Sequence, residues 1–432
     1  LEAAVAGFGF VPGPDTLFEP YRLLGDRLNR AYSIVDHLQS VKDSPEIRAA
    51  VEAVQPDVIA FYDTVSHSKP IYGAFKAVRD TPALFDALSP AQQRSVNLEL
   101  QGFELNGVGL DGPAKEEFTK IALRKSKISN DFSNNVLDST KTWKKIVENM
   151  DDVKGLPQPV LNLAAEAFTQ EMKEKSSLLS SSEGQAPGYL FKLDAPTVSA
   201  VLTYAESAPL REEVYRAYIS GASELRGPNN EPVLKEILEL RDRQAKLLNF
   251  NNYAELSMER KMATVMTAEE LLEKLRTISR PKAEADLADL RQFAAAGGHV
   301  GDLNPWDTSY WSHKQVKEEF GIDEEELRPY FPLERCLEGM FHLAKELFDV
   351  DFKPATGPKW HKDVMFYAVY DSADTQTPKA HLYFDLFARP SEKRSGAWQM
   401  GLADYDSVRG KSPVAAIVAN MRPPKAGESA LL

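Results

Sequence analysis

The seven histidines are the residues of this sequence best suited to holding a catalytic metal ion. A catalytic zinc site needs three protein ligands and an open position, and its common helical form has two histidines one turn apart with a glutamate between them. No two histidines here lie three to five residues apart, and none is followed directly by glutamate. The closest arrangement is His342 with Glu346, four residues apart on a predicted helix, which favours a solvated ion pair. We therefore expect this chain to contain no catalytic residue and no metal ligand. The histidines are His37, His67, His299, His313, His342, His361 and His381.

A second group of chemically capable residues lies between positions 385 and 398. Asp385 and Glu392 are close enough in sequence to suggest an acid–base pair, but nothing in the sequence shows that either is buried, so a catalytic role is not expected. Lys393 and Arg394 have the charge to neutralise a substrate carboxylate, although adjacent cations of this kind are more often solvated on a loop. The stretch 391–398, SEKRSGAW, is too polar to form a core.

Composition and charge exclude several functional classes. The 432 residues suffice for a large core, and 43% hydrophobic with 27% charged residues is typical of a globular protein. The formal net charge of −13 argues against binding to nucleic acid or to an anionic membrane surface, because both need clustered Lys and Arg. No apolar run is long enough to predict a membrane span.

The only cysteine, Cys336, excludes an internal disulfide and indicates a reducing compartment. The cytosol, the mitochondrial matrix and the chloroplast stroma all fit. The sequence begins at Leu1 without an Arg- and Ser-rich leader, as expected if any transit peptide has been removed.

Helical patterns dominate the first three quarters of the chain. Apolar residues recur at intervals of three and four, and on the first long helix Leu23, Leu28, Ile34 and Leu38 are expected to share one face. Further helices are predicted to begin near residues 45, 112, 196 and 333, where Ser, Asp or Pro provides a start signal. Polar and glycine-rich breaks predict an N-terminal helical region at 1–148, a second helical lobe with a short hairpin at 149–298, and helices with a small sheet at 299–432.

The C-terminal segment has the pattern of a small mixed β-sheet. Apolar and aromatic runs at 364–370 and 380–387 flank a turn-forming segment, which predicts a β-hairpin. A uniformly apolar run at 414–419 predicts a fully buried strand. A shorter strand is expected at 189–193.

The order of residues in this segment resembles the oligopeptidase A and thimet oligopeptidase family of zinc metallopeptidases, with plant organellar and cytosolic oligopeptidase A-like members most similar. The likeness extends over about residues 20–432, and includes NFNNYAEL at 249–256. In that family a double leucine precedes the helix that carries His-Glu-x-x-His, and that helix is not encoded here. The C-terminal residues that carry the resemblance are Tyr383-Phe384-Asp385, Arg389-Pro390, Lys393-Arg394, Gly396-Ala397-Trp398, Pro413-Val414, Asn420, Pro424, Gly427 and Leu431-Leu432.

The resemblance implies a mainly α, two-lobed helical zincin-type oligopeptidase fold with the small sheet near the C-terminal end. It also implies that Gly396, Ala397 and Trp398 bind substrate, because zincins hold an extended peptide along a sheet edge beside the metal. Glycine permits close approach of two backbones, and tryptophan can form the wall of a side-chain subsite. The alternative is that Trp398 is a core residue and Gly396 a bulge. The segment 399–412 departs from the family, where it is usually longer.

Two functions remain open at this point. In the first, the chain is the N-terminal part of a zinc-dependent oligopeptidase that hydrolyses short unfolded peptides, including cleaved targeting peptides; zinc is expected for the complete enzyme and cannot be bound by this chain, which should be inactive alone. In the second, it is a degenerate, non-catalytic scaffold or peptide-binding subunit of a larger complex, with a partner subunit covering the C-terminal sheet. Whether the chain is an enzyme is left open, and the first function is preferred.

Overall fold

The computed structural model describes residues 1–7, 9–178, 188–407, 409–424 and 430–431. Most of them are helical, and the strands concentrate near the C-terminal end, so the mainly α class with a small mixed sheet is confirmed. Gly427, Leu432 and most of the polar break at 176–188 lie outside the described residues. The α-helices are α1 (Glu2–Val5), α2 (Glu19–Val41), α3 (Pro45–Ser66), α4 (Lys69–Asp80), α5 (Pro82–Phe85), α6 (Pro90–Leu105), α7 (Gly112–Lys141), α8 (Gln158–Leu178), α9 (Ala195–Tyr204), α10 (Ala208–Ile219), α11 (Glu231–Leu247), α12 (Tyr253–Met258), α13 (Val265–Ala296), α14 (Pro305–Phe320), α15 (Glu324–Leu327) and α16 (Leu333–Phe348).

Start signals in the sequence explain where several helices begin. Helices α3 and α7 begin at the predicted proline and glycine positions, and α16 begins just after Pro332. Asp194 caps α9 by accepting a hydrogen bond from the Thr197 amide, and Ser89 forms a capping box with Gln92 at the start of α6. A capping side chain satisfies a backbone N–H that has no partner within the helix.

The strands are β1 (Lys145–Val147), β2 (Tyr189–Phe191), β3 (Val350–Pro354), β4 (Met365–Asp371), β5 (Asp374–Phe387), β6 (Trp398–Ala403) and β7 (Val414–Met421). β1 pairs antiparallel with β2, but α8 lies between them in sequence. The expected short hairpin is therefore a two-stranded sheet whose strands are connected through a helix. β4 and β5 form the predicted C-terminal hairpin.

The five-stranded sheet has the order β3-β4-β5-β7-β6. β5 and β7 run parallel and the other neighbours run antiparallel, which makes the sheet mixed as predicted. β7 contains the strand expected at 414–419 and lies between β5 and β6; Ala416, Val418 and Ala419 are buried, and the other three positions are only partly buried, so the strand is not fully buried as predicted. The strand β6 was not predicted, because the sequence pattern indicated a loop there.

The described residues form two compact units. The first consists of 1–36, 45–133 and 231–277, and the second of 37–44, 134–230 and 278–432. In the first unit, Phe75, Leu100 and Phe103 are almost fully buried in one helical core, and Ile128 with Leu240 belongs to another. The predicted division at 1–148, 149–298 and 299–432 concerns the order of segments along the chain and stays a prediction.

The sheet of the second unit has apolar side chains on both faces. Alternation along β5 places Leu382, Phe384 and Leu386 on one face, where Leu333 and Phe341 of α16 pack against them. Tyr383 and Asp385 project from the opposite face.

The single apolar face expected for α2 is wrong in detail. Leu23 and Ile34 are exposed, whereas His37 and Val41, one turn apart near the end of the helix, are almost fully buried. The cause is that α2 is shared: 19–36 belong to the first unit and 37–41 to the second, so different positions are buried along its length.

Candidate functional site

The strand β6 is an edge of the five-stranded sheet. Within the described ranges it pairs with β7 alone, from Trp398 opposite Val418 to Ala403 opposite Val414, with an irregularity after Gly401. An edge strand presents a row of backbone N–H and C=O groups that can pair with another extended chain. This edge is therefore able to accept a further strand by main-chain hydrogen bonding.

The three residues predicted to bind substrate lie at the start of this edge. Gly396 has a φ of +116°, a backbone conformation that residues other than glycine rarely adopt. Open space lies where its Cβ would be. Ala397 is exposed. Trp398 is the first residue of β6 and is half-buried against the cluster that contains Val41, Tyr383 and Val418. The structure thus places the three residues together, and their role in binding stays a prediction.

The turn at 389–394, which leads into β6, is hydrogen-bonded to the end of α2 and to Asp43 just after it. The Arg389 carbonyl accepts hydrogen bonds from the amides of Glu392 and Lys393, which closes the turn. The Asp43 amide donates to the Glu392 carbonyl at 2.8 Å, and the Arg394 amide donates to the Ser40 carbonyl at 2.9 Å. Four backbone hydrogen bonds therefore fix the path of the chain immediately before the edge strand.

A buried ion cluster lies behind this turn, centred on the Asp385 carboxylate. Arg389 donates to both carboxylate oxygens, at 2.7 and 2.8 Å, and the Trp360 indole donates to Oδ2 at 2.7 Å. Arg389 also donates to Glu392 at 2.9 Å, and Lys42 pairs with the same glutamate at 2.6 Å. The two carboxylates are joined through Arg389 rather than to each other, so the arrangement is not an acid–base pair.

The Lys393 ammonium occupies the centre of the cluster. It is within hydrogen-bond distance of four oxygens: Asp385 Oδ1 at 2.9 Å and the carbonyl oxygens of Asp385, Phe387 and Ala419 at 2.8, 2.8 and 2.6 Å. Its side chain is 1% exposed. The expectation of a solvated loop charge or a partner for a substrate carboxylate is therefore wrong for Lys393, because its three N–H donors are all used inside the protein. It joins the ends of β5 and β7 where their pairing is interrupted.

The cluster shifts the ionisation of its members. Burial alone would raise the pKa of Asp385, but the hydrogen bonds from Arg389, Trp360 and Lys393 outweigh it and hold that pKa below its ordinary value. Burial lowers the pKa of Lys393, and the Asp385 charge opposes this shift. Asp385 is therefore held as a carboxylate with all its charge committed to internal donors.

His37 is a buried residue beside this cluster that the sequence analysis did not single out. Its ring packs edge to face against Trp360, with centroids 4.3 Å apart, and it is 1% exposed. Neither ring nitrogen has a hydrogen-bond partner among the described residues. Burial lowers the pKa of His37 to about 4, against the opposing effect of Asp385 and with a contribution from Lys393. The spacing of His37 and Val41, four residues apart, was the signal that could have placed it in the interior.

The described residues do not fit a catalytic zinc ion. No group of three or more His, Cys, Asp or Glu in the part of the chain that the structure describes is arranged to hold a metal. His342 and Glu346 are both exposed on α16. No helix in those same ranges combines the length and the apolar character that crossing a membrane requires.

Comparison with known proteins gives matches along most of the chain. The sequence model described as Peptidase family M3 matches residues 201–432, and that of the neurolysin/thimet oligopeptidase N-terminal domain matches residues 2–115. PZ peptidase A, solved with inhibitor 2, is similar with a TM-score of 0.46 and 12% identity, over 98% of this chain and 58% of that chain.

Three curated relatives illustrate the similarity. The organellar oligopeptidase A, chloroplastic/mitochondrial, of Arabidopsis thaliana is 42% identical over 96% of this chain and 53% of its own length. The probable cytosolic oligopeptidase A of the same plant is 42% identical over 98% and 60%, and the oligopeptidase A of Salmonella typhimurium 37% identical over 96% and 60%. The chain thus spans between about half and three fifths of the length of these relatives. The predicted resemblance is confirmed, and the chain belongs to peptidase family M3.

Proposed function

We propose that this chain forms the substrate-guiding part of a zinc-dependent oligopeptidase that hydrolyses short unfolded peptides, including cleaved targeting peptides. Membership of peptidase family M3 and the oligopeptidase A names of its relatives support a peptide substrate. The chain covers 53% of the organellar relative, so the hydrolytic step is assigned to a longer protein and not to the residues described here.

The observation that carries the proposal is that β6 is an edge strand and directly follows a turn held by backbone hydrogen bonds. Gly396 leaves space above the backbone, Trp398 presents a half-buried ring at the start of the edge, and the strand has one paired side. An extended peptide added antiparallel or parallel to β6 would gain main-chain hydrogen bonds that do not depend on its sequence. Such binding suits a protein that accepts many short peptides.

A fluorescence experiment tests this assignment on the chain itself. We expect a short unfolded peptide to change the tryptophan emission, and we expect Trp398→Phe to lose most of that change while Trp143→Phe, the matched control far along the chain, retains it. A peptide with the same side chains but N-methylated at alternate residues should bind much more weakly, because it cannot donate to the strand edge. Equal binding of the two peptides would contradict the assignment.

Zinc dependence is part of the proposal and rests on family membership. The described residues supply no ligand set, so no chemical step is assigned to the metal here. We expect the complete protein to cleave a quenched short peptide and to lose this activity with a chelator. Cleavage that persists after complete removal of metal would overturn the zinc assignment but would not affect the proposal that β6 binds the peptide.

The second candidate function, a non-catalytic scaffold, is favoured by an exposed apolar row on α16. Leu343, Leu347 and Phe348 are 57%, 63% and 71% exposed, which is typical of a surface that further polypeptide covers. The same row also fits the first function, in which a further part of the oligopeptidase covers it. Absence of peptide cleavage by the complete protein, together with retained peptide binding, would select the scaffold and a partner subunit.

We further propose a reducing compartment for the protein. The single cysteine supports it, as do relatives whose names place them in chloroplasts, mitochondria or the cytosol. Localisation of the full-length protein with a fluorescent tag would distinguish these compartments.

A further inference from the structure

A pocket of about 190 Å³ lies in the second unit, and none of its lining residues belongs to the edge strand β6. Its walls come from α8, from β2 and the start of α9, and from the segments that follow β5 and β7. Ala164, Leu190 and Phe191 give it an apolar lining. The volume is smaller than the roughly 300–1,000 Å³ of pockets that take drug-sized molecules, so it suits a ligand with one or two amino-acid-sized groups.

Two opposite charges line this pocket without forming an ion pair. The Asp194 carboxylate accepts a hydrogen bond from the Thr197 amide at 3.0 Å, and no cation lies within ion-pair distance of it in the described residues. The Arg422 guanidinium is half-buried, and in the same ranges it has neither a hydrogen bond nor an ion pair. Lys192, which also lines the pocket, is likewise without an ion-pair partner there.

Burial shifts the pKa of both groups toward their uncharged forms. It raises the pKa of Asp194, and it lowers the pKa of Arg422, to which the like charge of Arg328 contributes. Asp194 acts electrostatically on Arg422, as do Glu325 and Tyr204, but Asp194 and Arg422 form no ion pair although both line the same pocket. A ligand that carries both charges would satisfy each group without a change in the protein.

We propose that this pocket binds a zwitterionic amino acid or dipeptide with an apolar side chain. Its ammonium group binds Asp194, its carboxylate binds Arg422, and its side chain packs against Ala164, Leu190 and Phe191. Arg is suited to the carboxylate because its planar guanidinium can donate two parallel hydrogen bonds. The site does not depend on peptide hydrolysis or on the β6 edge strand, so it can fail or hold independently of the proposed function.

Calorimetric titration with four related probes tests the charge pattern. We expect L-leucine or L-leucyl-L-leucine to bind, and the tighter of the two identifies the length of the ligand. L-leucinamide lacks the carboxylate and N-acetyl-L-leucine lacks the ammonium group, so each should bind at least about tenfold more weakly than leucine, as expected from losing a charge-assisted hydrogen bond. Binding of leucinamide as tight as that of leucine, or no binding of leucine and leucyl-leucine, would overturn the proposal.

Protein variants assign the two ends of the ligand. Arg422→Gln should reduce affinity for the zwitterion at least about tenfold but leave the weak binding of leucinamide unchanged. Asp194→Asn, which keeps a residue able to cap α9, should reduce affinity for the zwitterion but leave that of N-acetyl-leucine unchanged. Ala167→Leu fills the pocket from α8 and should abolish binding. Arg335→Gln, on an exposed part of α16, is the matched control and should bind as the unaltered chain does. Unchanged affinity in Arg422→Gln, with its circular dichroism also unchanged, would contradict the site.

Discussion

The Lys393 ammonium lies 2.9 Å from Asp385 Oδ1 in the interior of the second unit, and both side chains are 1% exposed. The ammonium group also donates hydrogen bonds to the carbonyl oxygens of Asp385, Phe387 and Ala419, so its hydrogen bonds are made within the protein and not to solvent. This pair connects three parts of the chain: the end of β5, the end of β7 and the turn that precedes the edge strand β6.

Replacement of Lys393 by methionine is expected to destabilise the protein strongly. The substitution keeps the length of the side chain but removes the ammonium group that bonds three backbone carbonyls and Asp385 Oδ1. Loss of one partner from a buried ion pair costs about 3–5 kcal/mol of unfolding free energy, which urea denaturation would measure. Lys42→Met is the control: Lys42 pairs with Glu392 but its side chain is 44% exposed, so its loss should cost less than about 1 kcal/mol. Equal effects of the two substitutions would show that the interior location of Lys393 is unimportant.

His37 is expected to make stability depend on pH between about 4 and 6.5. Its pKa is lowered to about 4 in the folded protein, so in this window the unfolded chain binds a proton that the folded chain does not. The stability from His37 is fully present above pH 6.5 and falls by about 3 kcal/mol as the pH falls to 4, at about 1.4 kcal/mol for each pKa unit. Asp385 affects stability at lower pH. Its pKa is depressed, so its contribution to the unfolding free energy is lost only as the pH falls below the ordinary value of about 3.9.

Unfolding free energies measured across this pH range would check the prediction for His37. The variant His37→Leu should lose most of the dependence between pH 4 and 6.5 and keep only the smaller part due to His361, whose pKa burial also lowers, whereas His342→Gln, at an exposed position on α16, should retain it all. If the His37→Leu curve keeps the slope of the unaltered protein, other groups are responsible for it.

The conformation of Gly396 predicts a selective cost for adding a methyl group. With φ at +116°, alanine would be strained by about 1–3 kcal/mol even though open space surrounds the position. Gly339 provides a matched comparison, since it lies inside α16 with open space and an ordinary φ; alanine there should stabilise the protein by about 0.5–1 kcal/mol. Thermal denaturation of both variants would show whether each substitution lowers or raises the stability of the protein. Stabilisation by Gly396→Ala would mean that the turn does not require glycine.

Local patterns were sufficient to predict much of the fold. The β4–β5 hairpin, the strand β7 and the bounds of α16 follow from apolar runs, turn residues and a proline start signal, all of which act within a few residues along the chain. The edge strand β6 was missed because its sequence, WQMGLA, has a glycine in its interior and weak alternation. It forms a strand because the apolar β7 offers it a partner.

The site was less predictable because burial of charge depends on contacts that are distant in sequence. Lys393 resembles a loop cation locally, and only the folded chain shows that Ala419, 26 residues further on, accepts one of its hydrogen bonds. His37 is 348 residues from Asp385, the carboxylate whose charge acts on its pKa. Gly396, Ala397 and Trp398 were identified through the family resemblance, which identifies a segment but does not give its geometry.

Hydrogen–deuterium exchange of the chain with and without a short unfolded peptide tests the central claim most directly. We predict that the peptide slows exchange of backbone amides in β6, Trp398–Ala403, while amides of the opposite edge strand β3, Val350–Pro354, are unchanged. Protection confined to β3, or binding of the peptide with no added protection in β6, would contradict the claim that this edge holds the substrate.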